Sequence, residues 1–361
     1  MTQHDKPRRR EDMFAGQPGL VVGPGPEGWW DSERTSCPAV LREPDGTWKM
    51  WYYGRDATFD REINMPTGRI GLAVSRDGAH WERVRGPGVL GSVLDPAPPA
   101  SGRFDTGHVG VTCVYKEDGL YWMWYMGGDQ AWVENAGLHK ARMKGYNMRP
   151  GCAVSRDGVN WVRLEGPYRG AFLQQDEQDP MILGWPRVYR EADGYRMYYG
   201  SLNPVTGGGV CLAVSPDGLR WEKKGVVFRG RGEPGSFDER GGGIPSIVKV
   251  GGKYLMFYEA MNNQIYFCIG LAVSDDGIHW EKDKEGEQPG GPVFRHAPKG
   301  SGRFDAQAVG TPWVVPMPDG SFRMFYVGCP EMGHDELSGM HLIGMAVSEG
   351  TNYRKWRRWG E

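Results

Sequence analysis

Two glutamates are the residues best placed to do chemistry. In MFYEAMNN, residues 256–263, Glu259 interrupts an otherwise apolar run. A lone acid in such a run beside a cavity has its pKa raised, which is how general acids are made. Glu33 stands alone as an acid among its equivalents in the internal repeats of the chain, Gly107, Met181, Arg240 and Gln307. Two carboxyl groups with split pKa values let one donate a proton while the other accepts. Glu33 and Glu259 are therefore the candidate catalytic pair, with Asp31 and Asp105 as carboxylates to orient or tune them. One residue further along the repeats stand Arg34, His108, Ile182, Gly241 and Ala308. If both positions face one cavity, it collects Glu33, Arg34, His108, Arg240 and Gln307. That mixed set suits a polar, anionic or hydroxylated small molecule. Trp185 and Arg55 complete the candidate binding residues.

The elements that position these residues come from a repeat. GLAVSRDGAHW from Gly71, GCAVSRDGVNW from Gly151, CLAVSPDGLRW from Cys211 and GLAVSDDGIHW from Gly270 are near copies, and GMAVSEGTNYRKW from Gly344 is a degenerate fifth. Each reads as strand, tight turn, strand, with DG supplying the positive φ of the turn. Upstream of each lies an aromatic strand: KMWYYG, WMWYMG, RMYYGS, LMFYEA or RMFYVG. Before that come a turn and another strand. Each unit thus has four antiparallel strands, A to D, and five units make an all-β, five-bladed β-propeller. The segment around Leu20–Val22 is expected to join the last blade and close the ring. One domain over 19–361 is expected, after a flexible tail over 1–18.

Strand A of each blade aligns on Pro38, Thr112, Pro186, Pro245 or Pro312, and an aspartate lies seven residues before each: Asp31, Asp105, Asp179, Asp238 and Asp305. Repetition in every blade argues that these carboxylates pin turns through backbone amides. The SxDGxxW turns are structural for the same reason and lack calcium-loop spacing. The unequal loops between strands B and C reach the pocket face, like a lid or specificity wall. His139, Lys140, Arg142 and Lys144 form a basic cluster there. His334, Asp335 and His341 are weak as a metal site.

Composition narrows the field. The 361 residues carry 43 Lys+Arg against 45 Asp+Glu, a net charge of −2. Neither a nucleic-acid nor a membrane-surface protein is expected from so even a balance. No apolar stretch is long enough to span a membrane and no signal segment opens the chain. The six cysteines are widely spaced without a CxxC pair, which fits a reducing, cytoplasmic setting. No cofactor is called for, and a calcium ion in the channel would be structural.

The order P-x-V, turn-G-x-aromatic-x-M-x-Y, then GLAVSxDGxxWE resembles the five-bladed propellers of glycoside hydrolase families 32, 43, 68, 117 and 130, over about residues 19–358. The resemblance implies a small sugar or sugar phosphate as partner, an axial pocket, and carboxylates as acid and base. Families 32 and 43 carry carboxylates one or two residues before the strand-A anchor. Here those positions hold Ser36 and Cys37, Gly110 and Val111, Gly184 and Trp185, Gly243 and Ile244, Gly310 and Thr311. The usual hydrolytic triad is thus absent. Family 130 carries an acid about five residues before the anchor, the offset of Glu33. Hydrolysis or phosphorolysis of a glycoside is the first expectation. A non-hydrolytic small-molecule enzyme and a non-catalytic sugar-binding propeller are the alternatives.

Overall fold

The computed structural model describes residues 12–63, 65, 67–134, 142–203, 208–264, 267–285, 290–331 and 340–361. Blade one comprises β2 (Arg34–Arg42), β3 (Trp48–Arg55), β4 (Arg69–Ser75) and β5 (Glu82–Val84), after the short β1 (Leu20–Val22). Blade two holds β6 (His108–Glu117), β7 (Leu120–Gly128), β10 (Arg149–Ser155) and β11 (Val162–Arg163). A side hairpin, β8 (Trp132–Glu134) with β9 (Arg142–Lys144), branches from it. Blade three holds β12 (Ile182–Glu191), β13 (Gly194–Leu202), β14 (Gly209–Ser215) and β15 (Glu222–Phe228). Blade four holds β16 (Gly242–Val250), β17 (Lys253–Met261), β18 (Phe267–Ser274) and β19 (Glu281–Lys282). Blade five holds β20 (Ala308–Pro316), β21 (Phe322–Cys329), β22 (Leu342–Glu349) and β23 (Asn352–Arg358). All ladders in these blades are antiparallel, and β1 pairs with β22, so the N-terminal segment does close the ring. Within the stretch expected as a tail, Phe14 packs into the core shared by blades four and five. The Gln17 side chain donates to Gly302 O and accepts from Phe304 N–H.

The repeated motif builds each turn from its own side chains. In blade one, Ser75 Oγ accepts from Asp77 and Gly78 N–H, and Asp77 Oδ1 accepts from Ala79 and His80 N–H. Those donors hold the Asp77 carboxyl far below its usual range. The motif tryptophan then locks the neighbouring blade. Trp161 meets Trp51 edge-on at 6.1 Å, Trp221 meets Trp124 at 5.4 Å, and Trp280 meets Tyr198 at 6.2 Å. Trp356 meets Phe257 at 5.7 Å, and Trp81 meets Phe325 at 6.0 Å across the closure. These spacings are those of favourable edge-to-face pairs. All five blade junctions use the same contact, the degenerate fifth copy included.

The five aspartates are pins of a different kind from the one expected. Each sits buried and accepts from the strand-B tyrosine of its own blade: Tyr52, Tyr125, Tyr199, Tyr258 and Tyr326 donate to Asp31, Asp105, Asp179, Asp238 and Asp305. A cation two residues past the motif tryptophan completes each triad: Arg83, Arg163, Lys223, Lys282 or Arg358, at 2.5–2.8 Å. The carboxylate thus ties the approach to strand A to strands B and D, with side chains rather than backbone amides as its main donors.

Strand A bends toward the axis at its anchor. The ladder shifts register there in every blade. Proline has no N–H for a ladder, so it sits at such a bulge. The residue before it takes a left-handed φ in four blades: Cys37 (50°), Trp185 (51°), Ile244 (46°) and Thr311 (43°). For β-branched Ile244 and Thr311 this is a strained conformation. Blade two, with Thr112 in place of proline, has no such residue. The bulge delivers the strand-A residues to the axial cavity.

Candidate active site

Side chains from all five blades surround one axial cavity of about 430 Å³. Blades one and five supply a polar wall of Ser36, Tyr53, Thr311 and His341. Blades two and three supply Tyr146, Ile182, Trp185 and Leu202, and blade four supplies Glu259, Met261 and Phe267. Among the described residues Glu259 is the one carboxylate on this lining.

Glu259 sits on β17 opposite Gly243. Its Oε2 accepts from Thr311 N–H at 2.7 Å. Loss of solvation raises its pKa from 4.5 to about 7, and the Thr311 N–H opposes this. The acid therefore carries its proton for a substantial fraction of the time at neutral pH. Among the described residues no arginine forms an ion pair with it; its one hydrogen-bond partner there is the Thr311 N–H. Space for the carboxyl comes from Gly310, where a Cβ would lie 2.0 Å from Oε2.

Also on the lining, Ser36 Oγ lies 3.0 Å from His341 Nδ1. Burial lowers the His341 pKa to about 3, and the charges of Arg34 and Arg55 push the same way. The imidazole is neutral, so it exchanges hydrogen bonds without a net charge. Thr35 N–H donates to His341 O at 3.0 Å and fixes the blade-five strand against blade one. The Trp185 indole N–H and the Thr311 hydroxyl have no partner among the described residues. The cavity therefore offers one acid with its pKa near 7, a neutral Ser–His pair, and aromatic side chains Tyr53, Tyr146, Trp185 and Phe267. Aromatic and apolar walls with few convergent polar groups are the usual form of a small-molecule site.

The structure brings Glu259 and Trp185 together on this lining, with Arg34 close enough for its charge to act on His341. It places the remaining expected site residues elsewhere. Glu33 lies outside the lining, in the approach to strand A, where its N–H donates to Arg55 O at 2.8 Å. His108 is buried, with Nδ1 2.7 Å from Thr67 Oγ1 and Nε2 2.8 Å from Gly145 O. Burial lowers its pKa to about 4, so it is a neutral strut between blade-one and blade-two loops. Arg55 is buried, and its guanidinium donates to the carbonyls of Thr67, Ile63 and Met65. Burial lowers its pKa to about 9, with Arg34 next in effect. Arg240 and Gln307 donate their backbone N–H groups to Met261 O and Cys329 O, and neither lines the cavity. Asp31 and Asp105 are occupied by their tyrosine and arginine partners. His139, Lys140, His334 and Asp335 lie outside the described residues. Arg142 stacks on Trp132 at 4.4 Å, and Lys144 pairs with Asp60 at 2.6 Å and Glu62 at 3.1 Å.

Sequence reasoning passed over Ser36, Tyr53 and Tyr146 as site residues and took His341 only as a weak metal ligand. The signal for Ser36 was present: it is the non-glycine residue two before an anchor, a position that the resembled families use for a carboxylate. Among the described residues no three His, Cys, Asp or Glu side chains cluster as metal ligands.

No family model matches the chain. It is 30% identical to a 1,2-beta-oligomannan phosphorylase of Thermoanaerobacter sp. (strain X514) over 195 residues, which is 52% of this chain and 56% of that protein. The match thus spans little more than half the length of that relative. One solved structure, described with the family-130 mannoside phosphorylases and glycoside hydrolases that target β-1,2 mannosidic linkages in Candida mannan, superposes with TM-score 0.64 at 18% identity, covering 96% of this chain and 97% of the other. A thermostable family-43 glycoside hydrolase superposes with TM-score 0.63 at 16% identity, covering 96% of each chain. The architecture is that of the five-bladed glycoside hydrolase and phosphorylase propellers.

Proposed function

We propose that the protein is a carbohydrate-active enzyme that cleaves a glycosidic bond in the axial cavity, with Glu259 as proton donor. One observation carries the reading: the acid on the cavity lining is held near pKa 7 by desolvation, in a lining that also carries Ser36, His341 and aromatic side chains. A donor with that pKa protonates a leaving oxygen at neutral pH, and the Thr311 N–H stabilises the carboxylate left behind. Aromatic faces suit the apolar faces of a sugar ring. A glycosidase needs a second carboxyl group, and the described residues bring only one to the lining. Phosphorolysis supplies an anionic nucleophile from solution and needs one acid, and Arg34 near His341 offers a cation for phosphate. The likeness to a phosphorylase points the same way. Six unpaired cysteines support a reducing, cytoplasmic location.

The test is release of sugar or sugar phosphate from β-1,2-linked oligomannosides and other small glycosides, with and without inorganic phosphate. Phosphate-dependent product, lowered at least about 10²-fold in kcat by Glu259→Gln, supports the reading. Full turnover by that variant removes Glu259 from the chemistry. A sugar-binding role without catalysis is the second reading, favoured by the same single carboxylate. Unchanged affinity and no turnover in wild type and variant alike would select it.

A further inference from the structure

The cavity lining has two kinds of surface, and Glu259 stands at the seam between them. Blades one and five, neighbours in the ring, bring Ser36, Thr311 and His341 to it. The Glu259 carboxyl joins that part through the Thr311 N–H, at 2.7 Å. Further along β17, Met261 shares a strand face with Glu259, because side chains two residues apart lie on the same side. Met261 pairs across the ladder with Phe267 of β18. Blade three, next in the ring, brings Ile182 and Leu202, which are also a cross-strand pair. All four line the cavity, and Leu202, Met261 and Phe267 are only half-buried, so they keep surface for an occupant. Ser201, which precedes Leu202 on the lining, donates its hydroxyl to Asp179.

An acid that protonates a glycosidic oxygen has the sugar on one side of it and the leaving group on the other. The sugar ring belongs beside Ser36 and His341, because its hydroxyls need hydrogen-bonding groups. The leaving group then lies against Ile182, Leu202, Met261 and Phe267. A second sugar ring would bring several hydroxyls to these side chains, and a hydroxyl taken from water without a partner is costly. Ring stacking does not remove that cost, because Ile182, Leu202 and Met261 are aliphatic. An apolar group is stabilised by the same contacts. An aromatic one also meets the Met261 sulfur and the Phe267 ring favourably.

We propose that, in the glycoside cleavage put forward above, the leaving group is an apolar aromatic alcohol held by Leu202, Met261 and Phe267. 2-Naphthol, which carries no sugar, should bind the wild-type protein saturably, with a negative heat-capacity change in titration calorimetry. A crystal of the full chain soaked with it should show density against Leu202 and Phe267. Leu202→Asn should weaken that binding at least about tenfold. Benzyl and methyl β-mannoside, cleaved in the presence of phosphate, release alcohols of similar acidity, so their ratio reads contacts rather than leaving-group ability. The benzyl glycoside should have the higher kcat/KM by at least about tenfold, and Leu202→Asn should bring the ratio toward one. No saturable binding of 2-naphthol and no density in the cavity would overturn the aromatic site, whatever is cleaved. Equal kcat/KM for the two glycosides would also overturn it and leave the enzyme reading intact. Bound 2-naphthol with no glycoside cleaved would overturn the enzyme reading, and the leaving-group role with it. The wild-type calorimetry and crystal decide the site even if Leu202→Asn does not fold.

Discussion

Glu259→Gln separates a strained acid from a merely structural one through its pH dependence. The carboxyl moves from 4.5 to about 7 on folding, and each unit corresponds to about 1.4 kcal/mol. The ionised form is therefore disfavoured in the fold by about 3 kcal/mol. Glu259 is open on its cavity side, so solvent screening makes this a ceiling. The sign follows from linkage. Its pKa is raised in the fold, so the native state holds the proton more tightly than the unfolded chain. The stabilisation is complete below pH 4.5 and is lost as pH rises through about 7. Glutamine keeps an oxygen for the Thr311 N–H and has no proton to lose. The stability of the variant relative to wild type should thus rise with pH and level off above about 8, by up to about 3 kcal/mol. His108 and His341 pull the other way, because both stay neutral in the fold while the unfolded chain takes up their protons below about 6.5. They are untouched by the substitution and cancel in the difference. Urea unfolding of both proteins from pH 4 to 9 reads that difference directly. A constant offset at every pH would refute a raised pKa at Glu259, and with it the argument for a proton donor.

Two further perturbations test the geometry around that acid. Gly310→Ala introduces a Cβ 2.0 Å from Glu259 Oε2. Gly310 has no left-handed φ, so the substitution displaces the flexible carboxyl rather than the backbone. Turnover should fall roughly 10²-fold through misplacement of the donor, with little change in Tm, and a variant with wild-type kcat would show that the Oε2 position is unimportant. Asp105→Ala strips the acceptor from Tyr125 and Arg163 and should cost about 3 kcal/mol, as for a broken buried pair. Denaturant titration measures the cost. Loss of turnover in the folded fraction at unchanged stability would instead move Asp105 into the site.

The architecture was legible because its devices are local. Ser75, Asp77 and Gly78 lie within one turn, and their hydrogen bonds close within it. The aspartate pins were half legible. Asp31 is visible by its spacing, but its partners Tyr52 and Arg83 lie 21 and 52 residues away, so position alone suggested backbone amides. The tell-tale was a basic residue two after each motif tryptophan. At the site, Glu259 could be read because it breaks an apolar strand position. Ser36 and His341 could not, because they meet only when blade five closes against blade one, 305 residues apart. Glu33 lies outside the lining for a physical reason: five residues before the anchor the chain is still in the approach to strand A, and the bulge comes later.

Five-fold repetition separates framework from site more sharply than residue type does. The Asp–Tyr–cation triads are rich in ionisable groups and repeat in every blade, where each carboxylate is spent on its own tyrosine and cation. Glu259 is alone at its position among Tyr53, Met126, Gly200 and Val327. Arg187 is alone as a cation among Ala39, Cys113, Ser246 and Trp313. Both break the symmetry where strands A and B approach the axis, and both lack the opposite charge that pairs their counterparts in the framework. A buried ionisable group without a counter-charge is costly to fold around, so these two positions are the ones the repeated framework does not explain.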